Sequence, residues 1–299
     1  RVGVGMQSLG LTEVAYQNSV AYAKERLQMR SLTGAKAPEK AADPIIVHPD
    51  VRRMLLTQRA YAEAGRAFSY WVALMIDTEL NHPDESVRKE TGEMVALLTP
   101  IIKAFLTDNA FEATNEGMQV FGGHGYIAEW GMEQYVRDAR INMIYEGTNT
   151  IQSLDLLGRK VLGDMGKKLT KFGKIIEKFI EDEGVRKEMQ EFIDPLSDIA
   201  VKVEKLTKEI GMKAMMNHEE VGAAAVPYLR VVGHLIYSYL FARMAKIALE
   251  KQDSGDKFYI AKLATARFYF ARLLPETAML IRQARSGSAN VMALDAELF

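Results

Sequence analysis

Two short stretches carry residue types that could do chemistry. The first is "YEGTN" (145–149), in which Glu146 has apolar residues Ile141, Met143, Ile144 and Tyr145 leading up to it. The nearest cation behind it is Arg140, and none follows until Arg159. A carboxylate among apolar side chains loses part of its hydration and becomes a stronger base. Gly147, Thr148 and Asn149 then form a turn into a helix, whose free N–H groups can receive an electron-rich oxygen. The second stretch is "FGGHGY" (121–126), three glycines in four positions. Glycine lets backbone come close to a ligand where a side chain would block it. These features define a candidate acid–base site. A lone glutamate at a helix start is usually a cap residue, and on the residue types alone that plainer reading is the preferred one.

Other patterns carry less chemistry. "GVGMQSLG" (3–10) lacks the glycine spacing of a dinucleotide fingerprint and reads as small residues that let helices pack closely. The five histidines include no pair at helical metal-ligand spacing, so no metal site is expected. Of these, only His124, set between glycines, is placed for a site role; His234 reads as a helix-surface or satisfied core residue. The aromatic residues Tyr237, Tyr239, Phe241, Tyr259, Phe268, Tyr269 and Phe270 read as packing. The chain has no cysteine, which excludes disulfides and thiol nucleophiles. Its charge balance, 38 Lys+Arg against 39 Asp+Glu, argues against a nucleic-acid surface or a polybasic membrane anchor. No uninterrupted apolar run reaches the ~20 residues of a membrane span. The first residue is Arg rather than Met, as expected of a cut chain or a piece of a larger protein.

The elements that must position these stretches are helices. Apolar spacing predicts helices over 7–30, 50–81 and 84–120, the last interrupted near Pro100. A loop from Ser31 to Pro49, rich in Pro, Ala and Gly, joins the first two. "FGGHGY" is not expected to be regular helix. A short helix over 132–144 follows, then one capped by Thr148 or Asn149 and running to Val161. Gly163 to Gly166 reads as a seam. Beyond it, four helices are expected near 167–181, 186–214, 219–251 and 256–285. Short connections favour antiparallel neighbours. The fold class is therefore all-α: a four-helix-type up-down bundle over 1–163, then a second helical bundle over 164–299.

"AYAKER" (21–26), "QVFGGHGY" (119–126) and "EQYVRDARINMIYEGTNTIQ" (133–152), in that order and spacing, resemble the C-terminal helical domain of the acyl-CoA dehydrogenases. The resemblance covers about residues 1–163. The second half, together with "RSLTGAKAPEKAADPIIVHPDVRRML", is similar to the long bacterial members. The resemblance implies an FAD enzyme of the fatty-acid β-oxidation type that turns an acyl-CoA into the trans-2-enoyl-CoA. It makes Glu146 the base for the α-proton and gives its backbone N–H a hold on the thioester oxygen. Arg26, Gln119, Gly123 and Thr148 become FAD contacts; Tyr145, Gly147 and Arg1 become substrate-side residues. It further implies a homodimer, electron-transfer flavoprotein as acceptor, and a bacterial cytoplasmic setting. The family's N-terminal helical and middle β-domains are absent from the sequence, so the chain is expected not to turn over alone. Two alternatives are an oxygen-using acyl-CoA oxidase and a non-catalytic helical scaffold.

Overall fold

A computed structural model describes residues 1–299, and it is all-α. The only β feature is one isolated antiparallel bridge, Leu27 to Pro44. The principal helices are α1 (Val2–Glu25), α2 (Pro49–Asn81), α3 (Glu85–Phe121), α4 (Met132–Asn142), the short α5 (Asn149–Leu154), α6 (Lys167–Glu183), α7 (Gln190–Met216), α8 (Glu219–Glu250), α9 (Lys257–Phe268) and α10 (Glu276–Arg285). They form two compact units, and α2 and α3 run from one into the other. One unit is residues 3–66 with 106–145; the other is 1–2, 67–105 and 146–299.

In the unit of residues 3–66 and 106–145, α1 buries a stripe of small residues: Gly5, Ser8, Thr12, Ala15, Ser19 and Ala23. Small side chains at this spacing let a second helix approach closely. A Cβ on Gly117 of α3 would lie 3.2 Å from Ser19 Oγ and 3.3 Å from Ala15 Cβ. The "GVGMQSLG" stretch thus serves packing at Gly5 and Ser8. α1 spans 2–25 rather than 7–30, because the chain leaves the helix to make the Leu27–Pro44 bridge.

The 31–49 loop is held from inside by one acid. The Asp43 carboxylate accepts from the backbone N–H groups of Ser31 (2.8 Å), Ala37 (2.8 Å) and Lys36 (2.9 Å), and from Arg30 Nη1 (3.2 Å). These donors, the Ser31 N–H first, pull its pKa from 3.8 to about 2 against the opposing effect of burial. A depressed carboxylate pKa stabilises the fold above the unfolded value and loses that contribution as pH falls through the folded one. Acid unfolding followed by circular dichroism should therefore steepen between about pH 4 and pH 2. Asp43→Asn should flatten that window; an unchanged profile would remove Asp43 from the account.

In the other unit, α8 is the central helix. Tyr228, Leu235, Ile236, Tyr237 and Phe241 are buried along it. The Phe241 ring stacks on buried Tyr269 at 4.6 Å, so this part of the aromatic group is packing. His234 is a satisfied core residue: it meets Tyr269 Oη at 3.0 Å and Glu276 Oε2 at 3.3 Å. The helix expected over 256–285 is interrupted, with a π-helical turn at Tyr269–Leu273 followed by Pro275. Proline lacks the N–H that an unbroken helix needs there, and the i→i−5 bond from Leu274 to Tyr269 (3.0 Å) absorbs the offset. α5 likewise passes into a π-helical segment, Asp155–Val161. The chain then reverses through Met165 (φ +58°) and Gly166 (φ +76°).

α3 meets the length and hydropathy of a membrane-crossing helix, although Lys103 and Asp108 interrupt its apolar run. Of its most apolar window, 72% is buried inside the protein, as in the core helix of a folded bundle.

Candidate active site

Glu146 sits on the turn between α4 and α5. Its φ is +58°, left-handed backbone that non-glycine residues seldom adopt, and Gly147 follows at φ +87°. Two consecutive left-handed residues swing the chain sharply round before the helix. The N–H groups of Glu146 and Gly147 donate to nothing in the chain. Thr148 is the N-cap, its Oγ1 accepting from Ile151 N–H at 3.3 Å. Thr148→Ala should cost about 1 kcal/mol of stability, and Thr148→Ser should restore most of it, read from chemical denaturation.

Two residues that sequence reasoning did not single out hold this turn. Buried Gln152 directs Nε2 toward the carbonyl oxygens of Glu146 and Gly147, both at 3.5 Å. A Cβ on Gly147 would stand 2.5 Å from that same nitrogen, so glycine is required twice, for φ and for space. Lys103, fully buried on α3, donates to Asn149 Oδ1 at 2.8 Å and pins the first residue of α5. The available signals were a polar residue one turn into α5 and a lone lysine inside the run "PIIKAFL". Arg1 lies 3.7 Å from the buried carboxylate of Asp155, which also binds Arg159.

The surroundings of Glu146 correct one expectation. Its side chain is exposed, and so are those of Ile144 (46%), Tyr145 (36%) and Ile151 (51%). Each of these side chains is itself open to solvent, and none encloses the carboxylate. Tyr145 turns its hydroxyl away to Gln7 Oε1 (2.6 Å) and Asn142 Oδ1 (3.0 Å), and Asn142 in turn donates to Ser8 Oγ (2.9 Å).

Arg26, Gln119 and Gly123 line one cavity of about 480 Å³. Arg26 follows the end of α1, and its guanidinium has no ion-pair partner in the chain. Gln119 lies in the last turn of α3. "FGGHGY" is partly helical after all: Gly122 (φ +58°) reverses the chain, and Gly123–Tyr126 makes one helical turn. A Cβ on Gly122 or Gly123 would meet nothing within 4 Å, so both present bare backbone to open space. Gly125 is different, because a Cβ there would lie 2.3 Å from the Met118 carbonyl oxygen. His124 also lines the cavity. Its Nδ1 is 2.9 Å from Tyr22 Oη and its ring stacks on Trp130 at 4.8 Å. An unpaired guanidinium, a side-chain amide and uncovered glycine backbone in one cavity are donors that fit a phosphate-bearing group.

The match to known proteins spans the chain. The family model "Acyl-CoA dehydrogenase, C-terminal domain" matches residues 1–162, and "Acetyl-CoA dehydrogenase C-terminal like" matches residues 172–295. The chain belongs to the acyl-CoA dehydrogenase family. It is 37% identical over 283 residues to 3-methylmercaptopropionyl-CoA dehydrogenase of Ruegeria pomeroyi, covering 92% of this chain and 47% of that protein. It spans about half the length of the curated long relatives it matches. Its fold is that of Caenorhabditis elegans ACDH-11 in complex with C11-CoA (TM-score 0.77, 18% identity, 98% of this chain and 45% of that one). An acyl-CoA dehydrogenase from Bacillus anthracis complexed with FAD is also alike (TM-score 0.73, 18% identity, 100% of this chain and 49% of that one). At that identity the two structures speak for the fold alone.

Proposed function

We propose that this chain supplies the catalytic base and part of the flavin site of an FAD-dependent acyl-CoA dehydrogenase. The observation that carries the reading is the Glu146–Gly147 turn, a carboxylate and unpaired backbone N–H groups on one strained turn in a member of this family. Glu146 takes the α-proton of the acyl thioester onto its carboxylate. The Glu146 N–H donates to the thioester oxygen, which gathers negative charge as the proton leaves. The left-handed backbone holds carboxylate and N–H together, with Gln152 and the Lys103–Asn149 bond keeping the turn in place. Gly147 and Tyr145 border the acyl slot, and Arg1 lies on the substrate side.

Arg26 binds the pyrophosphate of FAD, Gln119 and Gly123 contact its adenosine end, and Thr148 contacts it beside the base. FAD, when bound, takes up the hydride from the β-carbon. The exposure of Glu146 fits a chain that is completed by further protein over this turn, which would supply the missing desolvation. On this reading the isolated chain does not turn over. The working assembly is a homodimer, with electron-transfer flavoprotein as the acceptor.

The test is a steady-state assay of the enzyme that contains this chain, with a panel of acyl-CoAs and an artificial electron acceptor. Enoyl-CoA should accumulate beyond one equivalent per flavin only when the acceptor is present. Product formed with equimolar oxygen uptake and no acceptor would make it an oxidase. No product from any thioester would favour the scaffold reading.

A further inference from the structure

A second cavity lies within the 146–299 part of the chain, mostly in the segment matched by the second family model, and the proposed dehydrogenase chemistry does not use it. It opens between α6 and α7, has a volume of about 400 Å³, and is floored by Leu235 of α8. Phe172, Ile176 and Val203 form buried apolar walls. Packed cores leave few voids larger than a water molecule, so a space of this size is within the range of ligand pockets. Gly173 of α6 leaves it open: a Cβ there would meet nothing within 4 Å. An alanine or leucine would favour the helix more and would fill the space, yet the position is glycine.

The charged residues that line it are three carboxylates and one cation. Glu177 and Glu181, one helical turn apart on α6, have no cationic partner in the chain. Across the opening, Glu204 is already paired with Lys208, the only cation that lines the cavity. Two carboxylates are left over beside an apolar pocket. An anionic amphiphile, an acyl-CoA or a fatty-acid carboxylate among them, is repelled at this rim, whereas a cation carrying a hydrocarbon body is matched at both ends.

We propose that this cavity is a binding site for a small amphipathic cation, an ammonium head held by Glu177 and Glu181 with its apolar chain between α6 and α7. The experiment is calorimetric titration of the 299-residue chain with n-octylammonium, n-octanoate and n-octanol at neutral pH and low salt. Octylammonium should saturate one site about tenfold more tightly than octanoate, and added salt should erode the difference. Glu177→Gln with Glu181→Gln should abolish that preference. Gly173→Leu, which fills the cavity from α6, should abolish binding, and Ala200→Leu should do so independently from α7. Circular dichroism verifies that each variant is folded. Octanoate binding as tightly as octylammonium, no saturable site, or undiminished binding in both filled variants would each overturn the proposal.

Discussion

Glu146→Gln is expected to lower turnover of the enzyme that contains this chain by about 10³-fold or more, while leaving FAD bound. Glutamine is nearly isosteric, so the left-handed turn and the Thr148 cap persist, but its amide cannot accept the α-proton. Positioned general bases contribute roughly 10²- to 10⁴-fold, and here no second carboxylate stands on the turn to substitute. The split between parameters is informative. The backbone N–H of residue 146 survives the change, so substrate affinity should move little while kcat falls. Glu146→Asp should be intermediate, because the shorter arm draws the carboxylate back from the proton. Turnover within a few-fold of wild type in Glu146→Gln would remove Glu146 from the mechanism.

Gly125→Ala is expected to destabilise the fold by about 3 kcal/mol, or to prevent folding, since inserted atoms in a packed site force the backbone to shift. The added methyl would stand 2.3 Å from the Met118 carbonyl oxygen and 2.8 Å from Phe121 Cβ. Neither is the movable end of a flexible side chain. Gly123→Ala, two residues away, has open space and should keep its melting temperature. Its methyl stands at the cavity that holds Arg26 and Gln119, so flavin affinity should fall about tenfold, the effect of one misfitted contact. The pair separates the glycine that the fold needs from the glycine that the ligand needs. Equal melting temperatures for both variants would contradict this assignment.

Much of this was legible in sequence. Periodicity predicted the helices, and short polar residues just before Ile151, where the apolar spacing resumes, marked Thr148 or Asn149 as the cap; the structure selects Thr148. The small-residue stripe of α1 was readable as packing at Gly5 and Ser8 because small side chains recur there at helical spacing. What stayed hidden depends on backbone geometry and on distant partners. Which glycine of "FGGHGY" is tight is set by the last turn of α3, where the Met118 carbonyl points at Gly125. The π-helical turns at Asp155–Val161 and Tyr269–Leu273 add a residue without changing the local composition, so no pattern announces them. Lys103 looks like an interruption of an apolar helix until Asn149, 46 positions away, is seen to accept from it. The exposure of Glu146 is the sharpest difference: apolar neighbours in sequence imply a shielded carboxylate only if something covers them, and here they lie open.

The central claim is that Glu146 removes the proton whose loss starts dehydrogenation. Rapid anaerobic mixing of the flavin-loaded enzyme with an acyl-CoA that it turns over reads that step without any electron acceptor. The oxidised flavin absorbance should bleach within a single turnover in the wild type, more slowly when the α-carbon is deuterated. In Glu146→Gln it should bleach at least a thousandfold more slowly, about 4 kcal/mol of lost transition-state stabilisation. Bleaching of Glu146→Gln at the wild-type rate, with the same isotope effect, would place the base elsewhere.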